Sequence, residues 1–195
     1  SQLVTRREEK EFDLESQLAQ IVIGVRRCGK STLCQKVLKE SGVNFAYVNF
    51  DDETLASLQA DQLNDVIQAL YRIYGQFTHL FMDEIQNVPK WHLFVNRLLR
   101  QGLHLVLTGS NANLLSGELA THLTGRYNEI HLYPFSFADY CVAKNVNTDA
   151  RTTKTRGLLM HAMDNYLKQG GLPETLFLKR QDKYVSSLLT AIISK

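Results

Sequence analysis

Long apolar runs are what this sequence lacks first. No stretch of its 195 residues approaches the ~18 apolar residues of a membrane-crossing helix, which argues against a helical span. No signal-peptide pattern opens it. Cysteine is scarce, and the three present, Cys28, Cys34 and Cys141, match neither a zinc spacing nor a disulfide framework. A reduced, cytoplasmic compartment is therefore expected. Internal repeats and low-complexity linkers are absent as well. With 44% hydrophobic residues, what remains is one domain with one sizeable core and room for a small appendage.

What is present begins at "IVIGVRRCGKSTLCQKVL", residues 21–38. An apolar run leads into Gly24-Val25-Arg26-Arg27-Cys28-Gly29-Lys30-Ser31, with Thr32 beside it, and a helix-like run follows. The spacing is that of the G-x-x-x-x-G-K-[ST] phosphate loop. A phosphate needs several backbone N–H groups turned inward, so the loop must curl tightly, and glycine permits the backbone angles required. The helix that follows presents unpaired N–H groups and the positive end of its dipole. Lys30 is expected to reach the β- and γ-phosphates and Ser31 to ligate Mg²⁺. Cys28 lies within the loop beside a lysine and a helix start, a setting that favours the thiolate. The alternative is an inert small residue.

Strand-like segments recur at 18–23, 43–50, 77–83, 103–108 and 128–133. Helix-like segments fall at 30–41, 61–74, 89–101, 112–122, 136–144, 154–169 and 181–193. Pro89 suits the first turn of its helix, and Trp91, Phe94, Val95, Leu98 and Leu99 recur at helical spacing as a core-facing stripe. Strands alternating with helices imply an α/β fold with a parallel sheet flanked by helices. Ligands then sit beyond the carboxyl ends of the strands. Residues 1–16, rich in mixed charge, read as an exposed arm or helix, 17–135 as the nucleotide-binding core, and 136–195 as a helical lid or the start of a further region. The sequence ends inside the helix-like run "VSSLLTAIISK", so a longer chain is expected.

The chemistry does follow the strands. "THLFMDEIQ" places Asp83 and Glu84 directly after the third. Asp83 fits the carboxylate that a phosphate loop requires for its metal. Glu84, one residue on, points the other way and can polarise a water against the γ-phosphate as a general base. A GTPase would carry D-x-x-G here and an N-K-x-D motif elsewhere. This chain has Asp83-Glu84-Ile85-Gln86 and no N-K-x-D, which favours ATP and a water nucleophile. After the fourth strand, "LTGSNANLLS" offers Ser110 or Asn111 to hold that water or touch the γ-phosphate, provided the fourth strand lies between the first and third. A turn and helix cap would use the same residues.

Five stretches, "GVRRCGKST", "LFMDEIQNVPKW", "LTGSNANLL", "LTGRYNEIHLYPFSFADY" and "GGLPE", occur in this order. Together they resemble the AAA-superfamily ATPases of bacteria and archaea that carry a C-terminal domain of unknown function, over roughly residues 18–178. The resemblance implies a sheet of order 5-1-4-3-2, ATP with Mg²⁺, and a C-terminal domain beyond this sequence. It also implies that Ser110 or Asn111 is the first sensor and that Arg126 is an arginine finger. The second arginine found three residues later in many such ATPases is Glu129 here, and no residue stands out as the lid's sensor arginine.

The net charge of +2 is unevenly spread: residues 151–195 hold eight Lys/Arg against three Asp/Glu, and the remainder is net acidic. A basic segment can meet nucleic acid or another anionic partner, or simply form a solvated helical face. The sequence thus points to a Mg²⁺-dependent ATPase acting as a switch or motor for an unidentified protein partner, with a finger that implies a homo-oligomer. The alternatives are a nucleotide-binding interaction module without turnover and a DNA-associated ATPase.

Overall fold

The computed structural model describes residues 6–110 and 121–168, with 117 and 119 between them. Five strands, β1 (Ala19–Ile23), β2 (Phe45–Asn49), β3 (His79–Asp83), β4 (His104–Gly109) and β5 (Tyr127–His131), form one sheet in the order β2-β3-β4-β1-β5. Every pairing is parallel. Counted from the β5 edge this is 5-1-4-3-2, the order the resemblance implied. β1 and β3 are buried at all five positions, as central parallel strands covered on both faces must be. β2 alternates half-buried with buried residues, and β5 is half-exposed, as suits edge strands.

Helices α1 (Lys30–Ser41), α2 (Leu63–Tyr74) and α3 (Trp91–Arg100) follow β1, β2 and β3. On α3, Trp91, Phe94, Val95 and Leu98 are buried together, with Leu99 packed against them, so the stripe seen in the sequence is core. Pro89 is not in the first turn of that helix. A 3₁₀ turn over Ile85–Asn87 takes up the chain leaving β3, and the helix begins only after Lys90, which adopts a left-handed conformation at φ 53°. Pro89 therefore stands in the preceding turn. The helix expected over 112–122 falls on residues described only in part, and that over 181–193 lies outside the described residues, as does "GGLPE".

The chain divides between Leu132 and Tyr133, with Arg27–Gly29 grouped with the second part. In the first part, residues 6–16 hold a short 3₁₀ helix, Arg7–Glu11, and are bonded to α1 and the sheet. Glu9 pairs with Lys36 at 2.8 Å, and Asn128 Nδ2 donates to the Glu11 carbonyl at 2.9 Å. In the second part, α4 (Phe137–Ala143) and α5 (Thr153–Lys168) enclose a small core of Phe135, Tyr140 and Ala162 with Phe137, Val146 and Tyr166 against it. Ser136 caps α4 by a reciprocal box with Asp139, a motif that satisfies two backbone donors at once. The Tyr166 hydroxyl donates to the Phe135 carbonyl at 2.7 Å.

Candidate active site

The site is assembled at the carboxyl ends of β1, β3 and β4. Gly24 continues β1 and donates its N–H to the Gly109 carbonyl at the end of β4. The loop then reverses through two left-handed residues, Arg27 at φ 64° and Gly29 at φ 94°. Glycine adopts such angles without cost, and it is at Gly29 that the spacing requires it. α1 starts at once with Lys30. The Lys30 ammonium is buried and donates to the Gly24 and Val25 carbonyls at 2.9 and 3.0 Å, and it lies 3.6 Å from Glu84 Oε1. The lysine thus folds back onto the start of its own loop. Cys28 is buried. Arg26 and Thr32 face solvent, and Arg26 pairs with Asp51 at 2.7 Å.

Fifty-two residues separate Ser31 from Asp83, yet the serine hydroxyl donates to Asp83 Oδ2 at 2.6 Å. Two further hydroxyls converge on this carboxylate: Tyr47 on Oδ2 at 3.0 Å and Thr108 on Oδ1. Asp83 is almost wholly buried, and three donors are what a buried carboxylate requires. The Tyr47 hydroxyl is pushed well above its ordinary pKa, first by burial and then by the Asp83 charge, so it remains a donor. The same two causes raise the buried Cys34 thiol.

Glu84 leaves β3 in a left-handed conformation, φ 54° and ψ 50°, and its N–H donates to the Thr108 hydroxyl at 2.9 Å. That turn separates its side chain from that of Asp83. Glu84 Oε2 accepts from Ser110 at 2.7 Å and from Gln86 Nε2 at 2.6 Å. Burial would raise the Glu84 pKa, but the donors Gln86 and Ser110 and the charges of Lys30 and Arg26 together hold it below the ordinary value. The carboxylate is ionised at neutral pH.

The structure therefore brings Gly24, Lys30, Ser31, Asp83, Glu84 and Ser110 together. β4 does lie between β1 and β3, the condition under which Ser110 would reach the site. Asn111 lies outside the described residues. Arg126 is elsewhere. It precedes β5 and its carbonyl accepts from Ala19 N–H, so it stands at the amino end of the sheet. The five residues of β1, roughly 16 Å at 3.3 Å per residue, separate it from the loop. Its guanidinium is exposed and donates to Asn96 Oδ1 at 2.8 Å. Glu129, three residues on, pairs with His131. Tyr47, Thr108 and Gln86 were not anticipated. Thr108 carried a signal: a hydroxyl near the carboxyl end of a strand otherwise buried is a polar group needing a partner.

The family model of an AAA domain matches residues 16–141. An uncharacterised protein of Methanocaldococcus jannaschii is 37% identical over 156 residues, 79% of this chain and 35% of that protein. One of Haemophilus influenzae is 37% identical over 170 residues, 83% of this chain and 41% of that protein. The chain thus spans well under half the length of these relatives. Among solved structures, the Walker-type ATPase of Pyrococcus abyssi superposes with a TM-score of 0.52 at 14% identity, covering 98% of this chain and 74% of that one, a likeness of fold.

Proposed function

The chain belongs to the AAA-domain family of phosphate-loop ATPases, and from that membership we propose that it binds ATP with Mg²⁺ and hydrolyses it to drive or switch a protein partner. The observation that carries this reading is the convergence of Lys30, Ser31, Asp83 and Glu84, from two distant segments, around one loop: Ser31 to Asp83 at 2.6 Å and Lys30 to Glu84 at 3.6 Å. Ser31 and Asp83 fit Mg²⁺, which takes hard oxygen ligands and few of them from protein. Their oxygens are adjacent, and Tyr47 and Thr108 orient the carboxylate. When bound, the ion would supply charge neutralisation for the phosphate oxygens.

The protein's own groups supply the rest. The loop N–H groups and the start of α1 hold the phosphates. Lys30 exchanges the Gly24 and Val25 carbonyls for phosphate oxygens, a stronger, charge-assisted pairing. Glu84, held ionised, accepts a proton from water as that water attacks the γ-phosphate. Phosphate release from ATP, measured with Mg²⁺ and with EDTA, tests the reading. Glu84→Gln should retain ATP binding and lose 10²–10⁴-fold in turnover, the usual worth of general-base help, on the order seen elsewhere. Equal turnover in variant and wild type would remove Glu84 from that role.

A second reading has one observation in its favour. Arg126 stands at the far end of the sheet from the loop of its own chain, so one copy supplies its site with no finger from this position. A chain that remained monomeric would then hold ATP as an interaction module with little turnover. The DNA-associated reading rests on the basic segment from 151 onward, most of which lies outside the described residues. Cytoplasmic residence is part of the proposal. Among the described residues, no helix is long and apolar enough to cross a membrane.

A further inference from the structure

We propose that Gln86 is a positioning residue that aims the Glu84 carboxylate at the phosphates. This rests on Glu84 being the general base. The glutamate is long and rotatable, and its backbone leaves the strand in a left-handed turn. Nothing in that turn alone fixes where its carboxylate points. The 3₁₀ turn over Ile85–Asn87 carries Gln86 back alongside it. Gln86 Nε2 donates to Glu84 Oε2 at 2.6 Å and to Ser110 Oγ at 3.2 Å, and Ser110 donates to the same Oε2 at 2.7 Å. These three contacts close a triangle on one carboxylate oxygen. The other, Oε1, is left facing the Lys30 ammonium at 3.6 Å, the group expected at the β/γ-phosphates. One oxygen is tethered, and its partner is presented to the reaction.

The amide's orientation supports a role directed at Glu84. Gln86 Oε1 is buried and has no hydrogen-bond partner among the described residues. Flipping the amide would place that oxygen against the carboxylate. The orientation keeps the N–H on Glu84.

The test is a double-variant cycle on steady-state ATP turnover in Mg²⁺, using the whole chain, beside the affinity for a non-hydrolysable ATP analogue. Gln86→Leu removes the donor, and Gln86→Glu keeps the shape while replacing the donor by an acceptor. Each should lower kcat by roughly 10- to 100-fold, the scale of a misplaced catalytic group, with KM and analogue affinity unchanged. In a Glu84→Gln background the same substitutions should change turnover no further, because a residue acting through Glu84 has nothing left to position. An equal fold-loss in both backgrounds, or a fall in analogue affinity that matches the fall in rate, overturns the positioning role. Glu84→Gln turning over like wild type overturns the base assignment itself, and this inference with it.

Discussion

The two ends of the sheet satisfy their buried polar groups differently. At the carboxyl end, three hydroxyls share the Asp83 carboxylate, and only the mobile Lys30 ammonium rests on main-chain carbonyls, those of Gly24 and Val25. At the amino end, side chains meet the main chain of residues 11–16. His79 Nε2 donates to the Leu14 carbonyl at 2.8 Å, His104 Nδ1 to the Ser16 carbonyl at 2.9 Å, and the two rings stack at 4.7 Å. Gln20 accepts from the Asp13 N–H at 3.0 Å. A backbone carbonyl cannot be displaced without moving the chain that carries it. A lysine resting on carbonyls can leave them for a phosphate by rotating its side chain. One end is closed by the fold, and the other can exchange partners for a ligand.

Arg126 is the residue through which this contrast can be broken most severely. It belongs to the closed end by position, beside a groove of about 540 Å³ lined in part by Asn96, Arg100 and His104, yet its guanidinium is exposed. If the amino end of one copy meets the carboxyl end of another, Arg126 serves a neighbour's γ-phosphate. Its loss should then cost about 10³–10⁵ in rate, as fingers do in other phosphoryl-transfer systems. Specific activity should rise with protein concentration. Mixing inactive Arg126→Ala with inactive Glu84→Gln should restore part of the turnover, since some interfaces pair an intact residue of each kind. No rescue at any ratio, in a chain shown to self-associate, leaves Arg126 a surface residue held by Asn96.

Lys30→Ala should sharpen the contrast. It removes the mobile cation and leaves two loop carbonyls and Glu84 without it. Truncating one member of a buried charged contact costs about 2–5 kcal/mol, so ATP affinity should fall at least roughly 30-fold. Titration calorimetry reads this directly, and unchanged affinity would reject the phosphate-loop assignment.

The exchangeable end was the more legible one, because its motifs are local. Gly24 to Ser31 announce themselves by spacing, and Asp83 and Glu84 by ending an apolar run. The alternation of strands and helices gave the parallel sheet, and all five strands lie where the apolar runs stood. The closed end was less legible because its bonds are to carbonyls, which every residue carries. A charged segment such as 6–16 looks solvated whether or not its main chain is held by His79 and His104. Gln86 was missed for a related reason. Its partner is two residues away, and only the left-handed turn at Glu84 brings them together. Helix starts also depend on such turns, which is why Pro89 and its helix part company.

The smallest predicted effect concerns the closed end alone. Neutral imidazole suits the His79 contacts: Nε2–H donates to Leu14, and Nδ1 lies 2.7 Å from the Thr78 hydroxyl as its acceptor. Burial pushes the His79 pKa below its ordinary 6.5. The stacked His104 pushes the same way, against the Leu14 carbonyl and Glu15, which favour the charged ring. A pKa lowered by folding means that the unfolded chain binds the proton more tightly. The stability this confers is complete above about pH 6.5 and is lost as pH falls toward the folded value. The carboxylates with lowered pKa values, Glu84 among them, act in a lower window, beneath their ordinary values of 4.5 or less, so pH 7 to 5 isolates the histidine. His79→Phe should cost about 1 kcal/mol at pH 7 for the lost hydrogen bonds. It should leave ATP affinity unchanged and lose less stability than the wild type between pH 7 and 5. Denaturant titrations at the two pH values measure this. An equal loss in both proteins would mean that His79 does not carry the acid sensitivity of this end, and a fall in ATP affinity would mean that the two ends of the sheet are coupled.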